Sequence, residues 1–402
     1  MSSLKTIDLT GYLRKDGKKG IRNVVVIAYL VECARHVAGE IAGRFSGEPV
    51  HVIGFGGCYP NAYADKMMHA LCTHANVGAV LLVSLGCESF NRNRLLTHIQ
   101  ESGRPAALVG IQAAGGTRKA IEEGVHFLDE VLRELSVTTT VAMHVSDLVV
   151  GVVCGGSDAT SGITANPSAG HAFDLVVAAG GTTLFENTGE MIGLENIIAA
   201  RAVDAPLGIA IKKTIDKASR YYQKMGHGSF APGNAEGGLT TLEEKAIGAY
   251  FKTGTTPISG IIKPADAPPS HGLFLMDIVP DGDPLFGFPN PNDSSEIAEL
   301  IASGAHTVLF TTGRGSVVGS AIAPVIKVCA NPDTFLRMED DMDINAGTTL
   351  SEGDTVEAVG EAIFEKIRDV ARGESSCSER LGHQEFVLGY KTFEPAGPAC
   401  LP

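Results

Sequence analysis

The chain has 402 residues, 44% of them hydrophobic and 19% charged, with a formal net charge of −14 at pH 7. That length supports one large domain or two ordinary ones around a substantial core. The acidic balance argues against a nucleic-acid binder, which needs a basic face, and an anionic substrate must then be held by a local cluster of donors.

Residues 1–20 are polar and basic and contain no apolar signal-peptide core. No apolar run reaches the roughly 20 residues of a membrane span. A soluble cytoplasmic protein without membrane contacts is expected, and its eight scattered cysteines are expected to be buried thiols or metal ligands. The run NVVVIAYLV (23–31) predicts a strand buried on both faces, followed by a helix over 32–45. VHVIGFGGC (50–58) reads as strand and glycine turn, YADKMMHALCTH as a helix, and VGAVLLVSLGCES (77–89) as strand and turn again. RLLTHIQESG is helical, PAALVGIQAAGG is strand and turn, and TRKAIEEGVHFLDEVLREL is a long helix.

A second unit starts at TTTVAMHVSDLVVGVVCGG. In it FDLVVAAGGTTLFE (173–186), HGLFLMDIV (271–279) and HTVLFTTGRGS (306–316) read as strands. Helices are predicted over 189–202, 204–225, 240–253, 294–303 and 354–372. PDGDPLFGFPNPNDSS (280–295) is too rich in Pro, Gly, Asp and Asn for a regular element and reads as a loop. The predicted fold class is α/β, with two domains whose mostly parallel sheets are flanked by helices. The N-terminal α/β domain is placed at 1–140 and a C-terminal α/β catalytic domain at 141–402.

Ligands in open α/β sheets bind beyond the carboxyl ends of the strands. Three apolar strands each end in a cysteine beside glycine: Cys58, Cys87 and Cys154. Three thiolates could hold one iron or an iron–sulfur cluster; alternatively these are ordinary small buried residues, since no CxxC pair exists. CGGSDATSGITANPS (154–168) crowds backbone donors, hydroxyls, the Asp158 carboxylate and a thiol into one loop. Glu186 ends a strand and Glu190 follows four residues later; both read as a base or as acids favoured by a helix N-terminus. FTTGRGS offers Thr311, Thr312 and Arg314 for bidentate capture of a carboxylate, or else a structural ion pair. NAEGGLTTLEEK (234–245) is a turn and helix start carrying Lys245, suited to an anion or to a capping box. Arg22 and Asn23 stand just before the first long strand. There is no GxxxxGK[ST] phosphate loop, no dinucleotide fingerprint and no GxSxG elbow.

GYLRKDGKKGIRN, VLLVSLGCES, CGGSDATSGITANPSAGHAFD, GGTTLFENTGEMIG, GNAEGGLTTLEEKAIGA, LFTTGRGS and MDINAG together resemble the altronate/galactarate dehydratase family of sugar-acid hydro-lyases. The likeness runs from about residue 10 to about residue 390. It implies loss of water from an aldonate or aldarate to give a 2-keto-3-deoxy acid, with ferrous iron, an iron–sulfur cluster or another divalent metal. On that resemblance Cys58, Cys87 and Cys154 stand near the metal, and Arg314, Thr311 and Thr312 grip the substrate carboxylate with Arg22 and Asn23. Ser157, Asp158, Ser161 and Asn166 contact substrate hydroxyls, and Glu186, Glu190 or Lys245 is the base. Single-chain members carry a small β-rich domain ahead of the GYLRKDG segment, which here starts at residue 11. A separate small subunit is therefore expected. The related sulfolactate sulfo-lyase, similar at VIKVCANP and GHQEFVL, implies the same arrangement and a sulfo-acid substrate releasing sulfite. Dehydratases usually have a His before this Gly-Cys, where GFGGC stands here; an idle binding subunit is the third alternative. A homo-oligomer is expected.

Overall fold

The computed structural model describes residues 9–186, 189–224, 230–281 and 292–391. Apolar β-branched runs form the two parallel sheets. The first has β3 (Val24–Tyr29), β4 (Val50–Gly54), β5 (Val77–Ser84) and β6 (Ala106–Gly110) in the order β4-β3-β5-β6. Every pair in it is parallel. Helices Arg35–Gly43, Ala62–Cys72, Arg92–Glu101 and Thr117–Ser136 connect or flank these strands. Strand β5 is buried along its whole length, as a central parallel strand covered on both faces must be.

A small antiparallel sheet draws two strands from before the first parallel sheet and one from between the two parallel sheets. It joins β1 (Leu9–Leu13) to β2 (Lys19–Gly20) and to β7 (Val141–Met143). The second parallel sheet has seven strands: β8 (Val149–Cys154), β9 (Thr182–Glu186), β10 (Ile258–Ile262), β11 (Gly272–Met276), β12 (Thr307–Thr312), β13 (Val325–Cys329) and β14 (Ile344–Asn345). Their order is β10-β11-β9-β8-β12-β13-β14. The chain leaves β8 toward β9 on one side and returns to β12 on the other, so the strand order reverses between β8 and β12. Ligands bind at such a reversal in open α/β sheets.

One apolar core runs through both halves: Leu82, Met67 and Leu95 of the first unit share a cluster with Phe274, Leu300 and Phe310 of the second. A charged clasp crosses it. Glu299, fully buried, accepts from Tyr63 Oη at 2.6 Å and from Lys391 Nζ at 2.6 and 2.9 Å. Asn61 Nδ2 donates to the Lys391 carbonyl at 2.8 Å, and Tyr390 Oη to the Tyr59 carbonyl at 2.7 Å. No helix among the described residues is long and apolar enough to cross a membrane.

Two expected elements differ. Phe173–Ala178 is not strand but the end of helix Ala165–Ala178, whose buried positions surround it and so hide its period. The 189–202 segment is a 3-10 turn, Gly189–Met191, then the short helix Glu195–Ala199. Most of the 280–295 loop lies outside the described residues.

Candidate active site at the reversal of the seven-stranded sheet

The loops after β8 and β12 are laced together by their backbones. Gly155 N donates to Thr311 O at 3.1 Å, and Arg314 N to Gly156 O at 2.9 Å. Behind them lies a buried polar cluster. Cys154, the last residue of β8, donates its thiol to Glu190 Oε2 at 2.9 Å. Lys252 Nζ donates to that same sulfur and to the same carboxylate oxygen, both at 2.9 Å. Lys245 Nζ stands 3.4 Å from Glu190 Oε1. Cys154 is 7% exposed and Lys252 2%.

Local sequence explains how these groups meet. Helix Leu242–Tyr250 carries Lys245 and passes into the 3-10 turn Phe251–Thr253, which carries Lys252. The turn lies against helix Ala165–Ala178 at Gly170, where an added Cβ would stand 2.1 Å from the Phe251 carbonyl oxygen. Only glycine admits that approach. At the next strand end Gly155 leaves room for Asp293, whose Oδ2 would be 2.4 Å from a Cβ there.

The charge states follow from burial and neighbours. Burial alone would raise the Glu190 carboxyl, but the Lys252 and Lys245 ammonium groups outweigh it and hold it down to about 2. Burial works against the Lys252 charge; Cys154 and Glu190 more than offset it, so its pKa is raised. The Cys154 thiol is pushed up to about 12 by burial and by Glu190. The resting cluster is therefore a thiol beside a carboxylate–ammonium pair.

A second set of acids surrounds it. Glu186, at the end of β9, is 2% exposed, and its Oε2 has no hydrogen-bond partner among the described residues. Burial, with Glu296 nearby, pushes Glu186 well up. Glu296 is pushed up to about 8 by burial, Asp293 and Glu190, and Asp293 to about 6 by burial and Glu190. Burial thus favours the protonated form of both Glu186 and Glu296.

Beside the cluster is a pocket of about 230 Å³ lined in part by Ser157, Asp158, Ser161, Asn166 and Lys245. Of the two lysines only Lys245 lines it. Asp158 is engaged within its own loop: Oδ1 accepts from Thr160 N at 2.9 Å and Thr160 Oγ1 at 2.6 Å, and Oδ2 from Asn331 Nδ2 at 3.0 Å. Asn166 donates to Gly248 O at 2.9 Å and accepts from Thr311 Oγ1 at 2.6 Å, while Thr312 Oγ1 accepts from Gly315 N at 3.0 Å. These bonds tie Asp158, Asn166, Thr311 and Thr312 into the wall of the crevice.

Several expected site residues lie elsewhere. Arg314 turns away from the cluster, to Gly233 O and to Glu236 Oε2 at 3.1 Å, with 41% of its side chain exposed. Its polar partners are those of a structural ion pair. Arg22 and Asn23 stand at the amino end of β3. Arg22 is held by Glu379 at 2.7 Å and by the Val370 carbonyl, and Asn23 by Arg14 at 2.8 Å. The helix start at 240–245 is closed by its own cap: Thr241 Oγ1 accepts from Glu244 N, and Glu244 Oε2 from Thr240 N at 2.7 Å.

The three-thiol metal set is not assembled. Cys58 and Cys87 are exposed on neighbouring loops of the first sheet, where Ser89 N donates to Cys58 O at 2.9 Å. Cys154 is buried in the second sheet, and an ammonium group already occupies the place beside its sulfur where a cation would bind. Among the described residues no three His, Cys, Asp or Glu side chains meet in a way that could hold a metal ion. The residue missed from sequence is Lys252. Its signal is faint, a lysine closing an apolar helix in AIGAYFKTG.

Two family models match the chain. One, described as D-galactarate/Altronate dehydratase, C-terminal, covers residues 145–393. The other, D-galactarate dehydratase/Altronate hydrolase, second domain, covers 11–136. The chain belongs to the D-galactarate/altronate dehydratase family. Membership in this dehydratase family places it among lyases. It is 31% identical to (2R)-sulfolactate sulfo-lyase subunit beta of Chromohalobacter salexigens, over 96% of this chain and 98% of that one. It is 33% identical to galactarate dehydratase (L-threo-forming) of Escherichia coli over 82% of this chain, but spans only 63% of that enzyme's length. It is 28% identical to altronate dehydratase of Bacillus subtilis, over 94% of this chain and 76% of that one.

Proposed function

We propose that the chain is the large subunit of a hydro-lyase that removes water from a sugar acid to give a 2-keto-3-deoxy acid. What supports this reading is the placement of two buried carboxyls, Glu186 and Glu296, around a buried Lys252–Glu190 ion pair. Hydroxide is a poor leaving group and must be protonated as it departs. The proton next to a carboxylate is weakly acidic, and the enolate charge formed on its removal needs a fixed cation.

The substrate carboxylate enters the pocket beside Ser157, Ser161 and Lys245. Lys245, which lines this pocket, pairs with the substrate carboxylate, and the Glu190 carboxylate 3.4 Å from its Nζ takes the proton from carbon 2. The Lys252 ammonium, oriented by Glu190 and Cys154, stabilises the charge that builds on the carboxylate. A Glu186 or Glu296 carboxyl protonates the hydroxyl on carbon 3, which leaves as water, and the enol becomes the keto acid. No step is assigned to a metal, because the donor set does not fit one as folded. Three relatives are longer than the matched region, while the one of equal length is named a subunit. A small partner chain accordingly belongs to this proposal.

That same equality of length favours a second reading, a sulfo-lyase large subunit that expels sulfite. Sulfite leaves without help from an acid. The test is a screen of aldonates, aldarates and sulfolactate with oxygen-free protein, with and without the small subunit and ferrous iron. Formation of semicarbazide-reactive keto acid without sulfite supports dehydration. Sulfite release from sulfolactate alone would overturn it, and no turnover with any partner or metal would leave only a binding subunit.

A further inference from the structure

We propose that Cys154 and Lys252 form a site of reversible oxidative modification, in which one oxygen atom is inserted between sulfur and nitrogen to give a covalent S–O–N bridge. The two atoms stand 2.9 Å apart, and Glu190 Oε2 lies 2.9 Å from each. The pair is buried, so a small oxidant is the reagent suited to reach it, and the Lys252 nitrogen is in contact with the sulfur.

The cysteine two strands away in the same sheet does not compete. Cys329 lies at the end of β13, separated from β8 by β12. Two strand spacings place the backbones about 10 Å apart, and a disulfide needs Cα atoms within about 7 Å. An oxidised Cys154 therefore cannot be resolved by Cys329, and the group in contact with its sulfur is Lys252.

With hydrogen peroxide as the oxidant the chemistry balances. The thiol and one peroxide give sulfenic acid and one water, forming the S–O bond. The sulfenic acid, the Lys252 ammonium and a second peroxide then give S–O–N, two waters and one proton. Nitrogen is oxidised to the hydroxylamine level and the second O–O bond is cleaved. Glu190 accepts the single proton released as the ammonium enters the bridge. Two equivalents of a dithiol reductant, four electrons in all, reverse both steps.

The bridge removes the ammonium and the thiol from the cluster. Its effect on turnover rests on the proposed catalytic reading, whereas its formation does not. The full chain is treated with hydrogen peroxide and mapped by peptide mass spectrometry. The expected result is a peptide containing residue 154 joined to one containing residue 252, heavier than their sum by one oxygen less two hydrogens. Dithiothreitol dissolves the link, and Cys154→Ser and Lys252→Gln do not form it. Turnover falls in proportion to the linked fraction and returns on reduction. Progression of wild-type Cys154 to sulfinic acid with no joined peptides would overturn the proposal, as would a direct S–N link lacking the oxygen. Full bridging with unchanged turnover would leave the modification standing and remove the cluster from catalysis.

Discussion

Replacing Lys252 by Met tests whether the cluster is a true buried ion pair. The side chain is 2% exposed, and Met fills nearly the same space, so little packing is lost. What disappears is the ammonium 2.9 Å from both Glu190 and Cys154. Glu190 then retains Lys245 at 3.4 Å and the Cys154 thiol at 2.9 Å, but loses its nearest cation. Breaking a buried pair by removing one partner costs about 3–5 kcal/mol. Chemical denaturation at pH 7 should show a loss of that order. The pH dependence is more telling. In the wild type Glu190 is depressed to about 2, below its ordinary 4.5, so its contribution is present above 4.5 and fades as pH falls toward 2. Without Lys252, burial dominates and its folded pKa rises. The variant then regains stability as pH falls and Glu190 takes up a proton. The stability gap between variant and wild type should narrow from pH 7 to pH 5, and Lys252→Met/Glu190→Gln should recover most of the loss. A gap that is under about 1 kcal/mol, or that does not change with pH, would refute the buried pair.

Glu296→Gln should flatten the pH dependence of stability. The wild-type carboxyl is raised from 4.5 to about 8, so its contribution is complete below 4.5 and is lost as pH rises through 8; urea unfolding at pH 5 and pH 8 measures the difference. Cys58→Ser and Cys87→Ser should change turnover by no more than about twofold, whereas Cys154→Ser should lower it on the order of a hundredfold. Equal losses in all three would restore a shared thiol site. Arg314→Ala should cost at most about 1 kcal/mol, as expected for an exposed pair with Glu236, and leave KM for the acid substrate unchanged. A large rise in KM would place the guanidinium on the substrate.

The sheets were legible because their strands are short apolar runs bounded by glycine and polar turns, as in Val24–Tyr29 and Val77–Ser84. Helix Ala165–Ala178 was half hidden, since small residues bury most of its circumference and erase the period that marks an amphipathic helix. The site was legible as strand ends, and Cys154, Glu190 and Lys245 do converge there. Arg314 misled because a glycine-flanked arginine looks the same whether its partner is a ligand or Glu236. Lys252 was invisible because it lies 98 residues from Cys154, and nothing local tells a surface lysine from one folded into a core.

The Glu299 clasp bears on how the protein is made. Its three members are drawn from residues 63, 299 and 391, so the carboxylate acquires its lysine only after residue 391 has left the ribosome. Until then both halves can collapse, but they hold an unneutralised acid where they join. Emergence of Lys391 is thus the moment at which a loose pair of nascent domains becomes one locked body.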